Sequence, residues 1–398
     1  MISVKEALHH ILQQCHTLSP IRIPLEAAGN FIAAETIYSP VAVPFFDNSA
    51  MDGYAIRYED IKNNLPLKLH YQIEAGKTRV PELQKGEAAR IFTGAPIPLG
   101  ADTVVQQENC SVEKGILKLI QPVSPGDHIR KRGTQTQKGD LVISRGRLLT
   151  PEYIGFLATL GIDSVAVFPK PKVGIISTGK ELVPAGTILQ NGQIYESNSI
   201  ALKALLHQLE IPVIFSQWID DKESELYQFV LENHKKVDLL LFTGGISVGD
   251  YDFVKPVLEK TGAIEFFYKV RQKPGKPLFF GKKGTTLFFA LPGNPSAVVS
   301  CFHVYVKPAI QRITGCQFQT EDYALLVTSY QKKSGLTHFV KALVQNGKAT
   351  ILDRQLSYQM DAYARANAFV VLDEKQEDFK MGEKVKVIFF RSNMTITL

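Results

Sequence analysis

The chain has 398 residues, too many for a single hydrophobic core, so two to four domains are expected. Hydrophobic residues make up 45% and charged residues 21%, as in ordinary soluble globular proteins, and the net charge of +6 is too small to indicate a nucleic-acid-binding protein. No apolar run approaches the roughly 20 residues needed to cross a bilayer, and no signal peptide is visible. The four scattered cysteines are typical of reduced thiols, so we expect a cytoplasmic protein that binds neither nucleic acid nor membranes.

The N-terminal segment begins with a predicted helix. Residues 3–14 carry an apolar stripe of helical period, and Ser3 with Glu6 forms the capping-box pattern of a helix N-terminus. A short strand is expected at residues 21–24, followed by a helix-like segment at 25–34.

Residues 40–57 mix prolines, aromatic residues and carboxylates at a density that folding alone does not require. Asp52 and Gly53 predict a turn that places a carboxylate at a loop edge. A hairpin turn without further function would have the same sequence pattern. Residues 58–135 contain strand patterns separated by glycine turns, and therefore predict a small β domain.

Two stretches of this β region carry groups suited to a ligand. Thr93 offers a hydroxyl beside the turn at Gly94, and Arg130 begins a run of three cations. Arginine is suited to bidentate phosphate contacts, but a solvated basic turn has the same composition. A short strand at 139–143 and a helix over 150–161, with Thr150 at its N-cap, precede a Pro/Lys-rich domain boundary near residue 170.

From residue 172 onward strand patterns alternate with helix patterns, which predicts a doubly wound parallel α/β sheet. Strands are expected at 173–176, 213–219, 239–242 and 285–291, and helices at 197–209 with Ser197 as cap, 222–233, 251–261 and from 296 to about 313. Ligands of such sheets bind beyond the carboxyl ends of the strands, so the polar loops there should converge on one crevice. These loops are 177–181, 220–221, 243–252 and 292–296. The sequence lacks GxGxxG and GxxxxGK[ST] patterns, which argues against a dinucleotide oxidoreductase and a P-loop kinase.

The loop after the buried strand at 239–242 is the strongest candidate for an anion site. Its glycines allow backbone N–H groups to turn toward a ligand, and Asp250 and Asp252 follow directly. Carboxylates repel phosphate unless a cation lies between them, so this mixture indicates Mg²⁺; a tight turn with a solvated acidic face is the alternative. The basic segment 269–276 adds cations nearby. Residues 317–398 predict a compact β domain, with a short helix or loop at 359–367 and no recognisable catalytic constellation.

Six segments, in this order, resemble the molybdopterin molybdenumtransferase family, which inserts molybdenum during molybdenum cofactor biosynthesis and is related to the C-terminal domain of gephyrin. They are 46–55 (FDNSAMDGYA), 92–96 (FTGAP), 177–182 (STGKEL), 244–249 (GGISVG) with Asp252, 273–277 (KPGKP) and 291–295 (LPGNP). Each is weak alone, but six in order are specific, and the resemblance covers essentially the whole chain.

The resemblance implies a multidomain α/β plus β fold. Residues 1–44 and 136–169 are expected to form a discontinuous helical or mixed domain, and residues 45–135 a small β domain. Residues 170–316 would form the doubly wound α/β molybdopterin-binding domain, and residues 317–398 a C-terminal β-barrel-like domain.

The implied reaction uses adenylylated molybdopterin and molybdate and gives molybdenum cofactor and AMP, with assistance from Mg²⁺. The resemblance also implies an elongated homodimer, with the site between the α/β domain of one subunit and the β domain of the other. The molybdopterin adenylyltransferase and cofactor-receiving enzymes are further expected partners.

Site residues follow from matching positions. Catalytic roles are implied for Asp52, Thr93, Glu181, Asp220 and Asp252, with Glu181 and Asp252 as metal ligands. Either Asp52 or Asp220 would orient a nucleophile or make a second metal contact. The residues expected to bind substrate are Arg130, Ser177, Thr178, Gly179, Gly244, Gly245, Ser247, Gly249, Lys269, Lys273, Lys276, Pro292, Gly293, Asn294, Pro295 and Ser357.

The sequence departs from the family pattern at a few positions. Thr134 and Gln135 replace an acidic pair, Lys341 replaces an arginine, and Leu356 and Tyr358 replace glycines beside the serine between them. These changes are expected to alter ligand affinity and not the fold. The alternative functions are a molybdopterin-binding or scaffold module without turnover, and a molybdopterin adenylyltransferase.

Overall fold

A computed structural model describes residues 1–220, 222–246, 253–316 and 321–391. The chain folds into two compact units: unit 1 comprises Met1–Ile21 and Phe168–Leu398, and unit 2 comprises Arg22–Val167. The finer division into four domains stays a prediction. In the described parts of the chain, none of the helices combines the length and apolar character that a bilayer span requires.

Unit 1 is built around a six-stranded sheet. In spatial order its strands are Val213–Ile219, Val173–Thr178, Leu239–Thr243, Thr286–Leu291, Phe279–Lys283 and Ile264–Tyr268. The first four are parallel, as predicted. The last two join the sheet through antiparallel pairings, and the sequence analysis did not identify them. No helix separates these two strands, so they fall outside the strand–helix alternation from which the sheet was predicted. The multidomain α/β plus β fold class is confirmed.

Helices cover both faces of this sheet. They are Asn198–Gln208, Glu223–Asn233, Val254–Lys260, Pro295–Cys301 and Lys307–Ile313, with a π-helical turn at Phe302–Val306 and a 3₁₀ turn at His234–Lys236. The strands Val173–Thr178 and Leu239–Thr243 are buried along their whole length, as expected for a sheet covered on two faces. The N-terminal helix Val4–Gln14 also belongs to unit 1, and the predicted capping box of Ser3 and Glu6 is present.

The C-terminal part of unit 1 is a closed five-stranded barrel. Its strands close in the order Thr337–Gln345, Lys348–Ile351, Asp322–Leu326, Lys384–Phe389 and Ala368–Leu372. The short strand Gln272–Lys273 adds to this barrel, parallel to its longest strand, and so ties the α/β sheet to it. A 3₁₀ turn, Asp361–Ala364, lies where a short helix or loop was expected. Short strand pairs join Leu182–Val183 to Ile194–Tyr195 and Tyr330–Gln331 to Asp378–Phe379.

Unit 2 contains the predicted small β region. Its six-stranded sheet has the order Thr103–Gln106, Gly53–Ile56, Glu87–Ile91, Leu67–Ile73, Ile116–Leu119 and Cys110–Glu113. A second, three-stranded sheet has the order Ile21–Pro24, Ser164–Phe168 and Ile32–Ala33. Two further strand pairs join Asn48–Ser49 to Ile129–Arg130 and Ile37–Tyr38 to Leu141–Ile143. The helices are Tyr58–Lys62 and Pro151–Thr159, and the 3₁₀ turns are Leu25–Ala27 and Gln107–Asn109.

Three local predictions need correction. The helix-like segment at 25–34 is a single 3₁₀ turn followed by a strand, because Asn30 adopts a left-handed conformation that ends helical winding. Ser197 and Thr150 occupy N-cap positions, but neither side chain makes a cap hydrogen bond. At the first of these helices Glu196 does so instead, accepting from the backbone N–H of Ser199 at 2.8 Å. The helix predicted at 251–261 is described only from Val254 onward.

Candidate active site

A cavity of about 830 Å³ lies in unit 1, at the carboxyl ends of three parallel strands. Loops after Val173–Thr178, Leu239–Thr243 and Thr286–Leu291 form one side, and the C-terminal barrel forms the other. Among the predicted site residues, those that line it are Thr178, Gly179, Glu181, Gly244, Gly245, Lys273, Pro292, Gly293, Asn294 and Ser357. Its size matches the clefts that hold small-molecule ligands in proteins.

The two glycines after Leu239–Thr243 are required by the close approach of neighbouring loops. Gly244 and Gly245 have φ values of +90° and +63°, which side chains rarely adopt. A Cβ atom on Gly244 would lie 2.4 Å from the carbonyl oxygen of Thr178, and one on Gly245 would lie 2.8 Å from the Thr178 hydroxyl. The predicted site residues Ser247, Gly249 and Asp252 lie outside the described residues.

Asn198 joins the loops that form the cavity wall. This residue is 9% exposed, and its Nδ2 donates to Thr243 Oγ1 and to the Gly293 carbonyl oxygen, each at 2.8 Å. The sequence analysis assigned the start of this helix to a serine cap and therefore missed Asn198. An asparagine directly after the supposed cap was the available signal.

The loop after Thr286–Leu291 is fixed by its own cap. Asn294 accepts a hydrogen bond from the backbone N–H of Ser296, and Pro295 is the first residue of the following helix. Pro295 itself does not line the cavity.

Lys273 is the cation at the cavity, and a buried glutamine positions its loop. Gln272 is 1% exposed; its Nε2 donates to the Gly275 carbonyl oxygen at 2.8 Å, and its Oε1 accepts a hydrogen bond from the Tyr305 hydroxyl. Lys273 has no acidic partner among the described residues, so its charge is available to an anion.

The other two predicted lysines are placed differently. The Lys269 ammonium lies 4.9 Å from the ring centroid of Tyr268, and neither Lys269 nor Lys276 lines the cavity.

The barrel contributes residues that the sequence analysis did not identify. Tyr330, His338 and Gln355 line the cavity, and the sequence analysis named none of them. Burial, followed by the charges of Lys332 and Lys273, lowers the pKa of His338 to about 4. The imidazole is therefore neutral at neutral pH and does not repel Lys273, whose backbone is its strand neighbour.

Lys341, where the family resemblance led us to expect an arginine, lies beneath the cavity wall. It is 2% exposed, and its Nζ donates to the carbonyl oxygens of Gln359 at 3.0 Å and Leu356 at 3.4 Å. The ammonium also lies 5.2 Å from the ring centroid of Tyr363, and burial lowers the Lys341 pKa. Lys341 therefore supports the loop that carries Leu356 and does not itself line the cavity.

Two predicted residues line neighbouring cavities. Asp220 borders a small cavity that shares Thr178 and Gly245 with the large one. Ser177 is buried, and its hydroxyl donates to Glu196 Oε1 at 3.4 Å in a separate cavity of about 260 Å³.

The predicted site residues of unit 2 include one hydrogen-bonded pair. Asp52 Oδ1 accepts from the Thr93 backbone N–H at 2.7 Å and from the Thr93 hydroxyl at 2.9 Å, and these bonds lower the pKa of Asp52. The carboxylate thus stays ionised and fixed in direction. Arg130 is exposed on a short strand paired with Asn48–Ser49.

The metal prediction is tested only in part. Within the described residues, no three His, Cys, Asp or Glu side chains lie close enough to hold a metal ion. Among the described residues, Glu181 supplies the carboxylate of the cavity lining. Its side chain is exposed and has no hydrogen-bond or ion-pair partner among those residues. It is therefore suited to contribute one ligand.

Sequence comparison matches three regions of the chain to known protein families. Residues 2–161 match the MoeA N-terminal region (domain I and II), residues 174–312 match a probable molybdopterin binding domain, and residues 323–390 match the MoeA C-terminal region (domain IV). A molybdopterin molybdenumtransferase of Haemophilus influenzae is 36% identical over 397 residues, covering 97% of this chain and 98% of its own length. One from Staphylococcus aureus strain MRSA252 is 34% identical, covering 98% and 96% respectively.

Structural comparison agrees. Two crystal structures of the molybdopterin biosynthesis MoeA protein of Pyrococcus horikoshii match with TM-scores of 0.85 and 0.81, at 31% and 29% identity. The matches cover 98% of this chain and 99% and 100% of those chains. From the near-complete coverage at this identity, and from the three matching family regions, it follows that this chain belongs to the molybdopterin molybdenumtransferase family.

Proposed function

We propose that the protein is a cytoplasmic molybdopterin molybdenumtransferase. It takes adenylylated molybdopterin and molybdate and gives molybdenum cofactor and AMP. The observation that carries this proposal is the 830 Å³ cavity, where loops of the matched molybdopterin-binding region meet Lys273, a lysine without an acidic partner in the described parts of the chain. A cavity of this kind suits a substrate with two phosphates and a second, oxyanionic substrate.

The residues of the cavity divide into anion binders and supports. Lys273 would supply the charge that attracts phosphate or molybdate, and the backbone at Gly244 and Gly245 allows a ligand to approach closely. Asn198 and Gln272 hold these groups in place. Because these supports are buried, the site requires little reorganisation when an anion binds.

Glu181, together with Asp252, would hold the Mg²⁺ that the family resemblance implies. The ion would neutralise charge on the adenylyl phosphate as AMP leaves. The placement of Glu181 in the lining and its lack of a partner in the described chain support this assignment.

We further propose a homodimer in which Asp52 and Thr93 of one subunit complete the site of the other. Asp52 would act through its charge, either orienting the attacking nucleophile or contacting the metal. The two hydrogen bonds from Thr93 support this role because they keep the carboxylate ionised. The molybdopterin adenylyltransferase and cofactor-receiving enzymes would act before and after this step.

The test is to incubate the purified protein with adenylylated molybdopterin, Mg²⁺ and molybdate and to follow AMP. We expect AMP release that requires molybdate, from a protein that sediments as a dimer. Binding of adenylylated molybdopterin without AMP release would indicate a binding or scaffold module. Formation of adenylylated molybdopterin from ATP and molybdopterin would indicate an adenylyltransferase.

A further inference from the structure

A second cavity lies on the other side of the loop that carries Thr178 and Gly179. Its volume is about 260 Å³, and it shares Leu182 with the large cavity. The neighbouring residue Ser177 faces this second cavity while Thr178 lines the first. All of its lining residues fall between 177 and 218, within the region matched to a molybdopterin-binding domain. One ligand could therefore reach both cavities around a single loop.

The wall of this cavity contains the only tryptophan of the chain, Trp218. Its side chain is 46% exposed although indole rings are usually well buried, so part of it remains open to solvent. The indole N–H donates to the Gly179 carbonyl oxygen at 3.1 Å, which fixes the ring relative to the loop between the two cavities. A flat aromatic side chain held in this way is a surface for a second flat ring.

Polar groups surround this aromatic surface. The Glu196 carboxylate accepts from the Ser199 backbone at 2.8 Å, from the Ser199 hydroxyl at 2.7 Å and from the Ser177 hydroxyl at 3.4 Å. Two carboxylate oxygens offer about four acceptor positions, so one remains for a ligand N–H. The 3.4 Å contact from the Ser177 hydroxyl is long, so a second ligand donor can replace it. Lys203 also lines the cavity and has no acidic partner among the described residues.

These groups discriminate between kinds of flat ring. The pyrimidine part of a pterin carries a ring N–H beside an exocyclic amino group, so it presents adjacent donors to a carboxylate. Adenine has no ring N–H next to its amino group and presents a donor beside an acceptor. Lys203, which lacks an acidic partner in the described parts of the chain, suits an anionic substituent on the far side of the ring.

We propose that this cavity is the binding site for the pterin ring of the substrate, with Trp218 stacking on the ring and Glu196 accepting from its donor edge. The inference rests on the proposed function, because it assigns one part of that substrate to a particular place. It leaves the phosphates and molybdate to the large cavity on the other side of the shared loop.

The single tryptophan allows a direct test on the full-length protein. Pterin-6-carboxylate absorbs where tryptophan emits, so a molecule bound beside Trp218 quenches its fluorescence strongly. We expect saturable quenching by pterin-6-carboxylate. AMP does not absorb where tryptophan emits, and we expect it to displace the pterin only at concentrations at least tenfold higher. N-acetyltryptophanamide in solution serves as the control for absorption and collisional quenching. The absence of saturable quenching, or tighter binding of AMP than of the pterin, would overturn the assignment.

Two variants separate stacking from loop support. Trp218→Leu and Trp218→Phe both lose the hydrogen bond to Gly179, but only the phenylalanine keeps a flat ring. Aromatic stacking on a heterocyclic base is typically worth tenfold or more in affinity. Equilibrium dialysis of pterin-6-carboxylate should therefore show at least a tenfold loss for Trp218→Leu and a much smaller loss for Trp218→Phe. Equal losses, or none, would contradict stacking.

These binding measurements do not depend on whether the protein releases AMP. A protein that binds the pterin at Trp218 and releases no AMP keeps this inference and contradicts the transferase. A protein that releases AMP while Trp218 does not respond to the pterin contradicts this inference alone.

Discussion

Removal of the Asn198 side chain tests how the cavity is held together. In Asn198→Ala, the two 2.8 Å hydrogen bonds to Thr243 and Gly293 disappear. Each such bond contributes about 0.5–1.5 kcal/mol, and a buried acceptor left without a donor adds a penalty. The Thr243 hydroxyl can rotate toward another acceptor, whereas the Gly293 carbonyl oxygen cannot change its role. We therefore expect unit 1 to lose about 2–3 kcal/mol of unfolding free energy.

The assay uses Trp218, which lies in unit 1 and is the only tryptophan, so its fluorescence during urea titration reports on this unit. The same variant should release AMP about a hundredfold more slowly, because small displacements of positioning loops are costly to catalysis. Ser197→Ala is the matched control: Ser197 is the neighbouring residue, is exposed and makes no cap hydrogen bond. Wild-type stability and activity in Asn198→Ala, or a larger loss in Ser197→Ala, would refute the reasoning.

Three further predictions concern other parts of the molecule. Tyr305→Phe removes the donor to the buried Gln272 Oε1; since Gln272 positions the cationic loop, KM for molybdate should rise while kcat is retained, and a fall in kcat alone would contradict this role. Burial lowers the pKa of His303 to about 3, so the unfolded chain binds a proton below pH 6.5 that the folded chain does not. Stability should therefore fall by about 1.4 kcal/mol per pH unit from pH 6.5 downward through this group, and urea titrations of His303→Phe should show a shallower pH dependence than wild type. Asp52→Asn should slow AMP release a hundredfold or more with little change in melting temperature, and verified heterodimers with Asp252→Asn should regain activity; no recovery would exclude a shared site.

Much of unit 1 could be predicted because its signals are local. Four strand patterns followed by polar loops indicate a parallel sheet, and the structure brings three of those loops to one cavity. Gly244 and Gly245 were recognisable from the motif alone, although the reason for them, the proximity of Thr178, depends on the tertiary structure.

The missed features depend on contacts between distant segments. His338 became a cavity residue because its strand pairs with Gln272–Lys273, some 65 residues earlier, and no local pattern marks that pairing. Likewise, Asn198 bonds to residues 45 and 95 positions away. The burial of Lys341 beneath a loop was also invisible, since a lysine is ordinarily expected at the surface.

The central claim is that the cavity of unit 1 carries out molybdate-dependent release of AMP. The most direct measurement is the rate of AMP release as a function of molybdate concentration for wild type, Lys273→Ala and Lys235→Ala. Lys235 is an exposed lysine just before the strand Leu239–Thr243, at the end of the sheet opposite the cavity. Loss of a charge-assisted contact costs about 1.5–3 kcal/mol, so Lys273→Ala should raise KM for molybdate tenfold or more while Lys235→Ala matches wild type. AMP release that does not depend on molybdate, or equal behaviour of the two variants, would contradict the account.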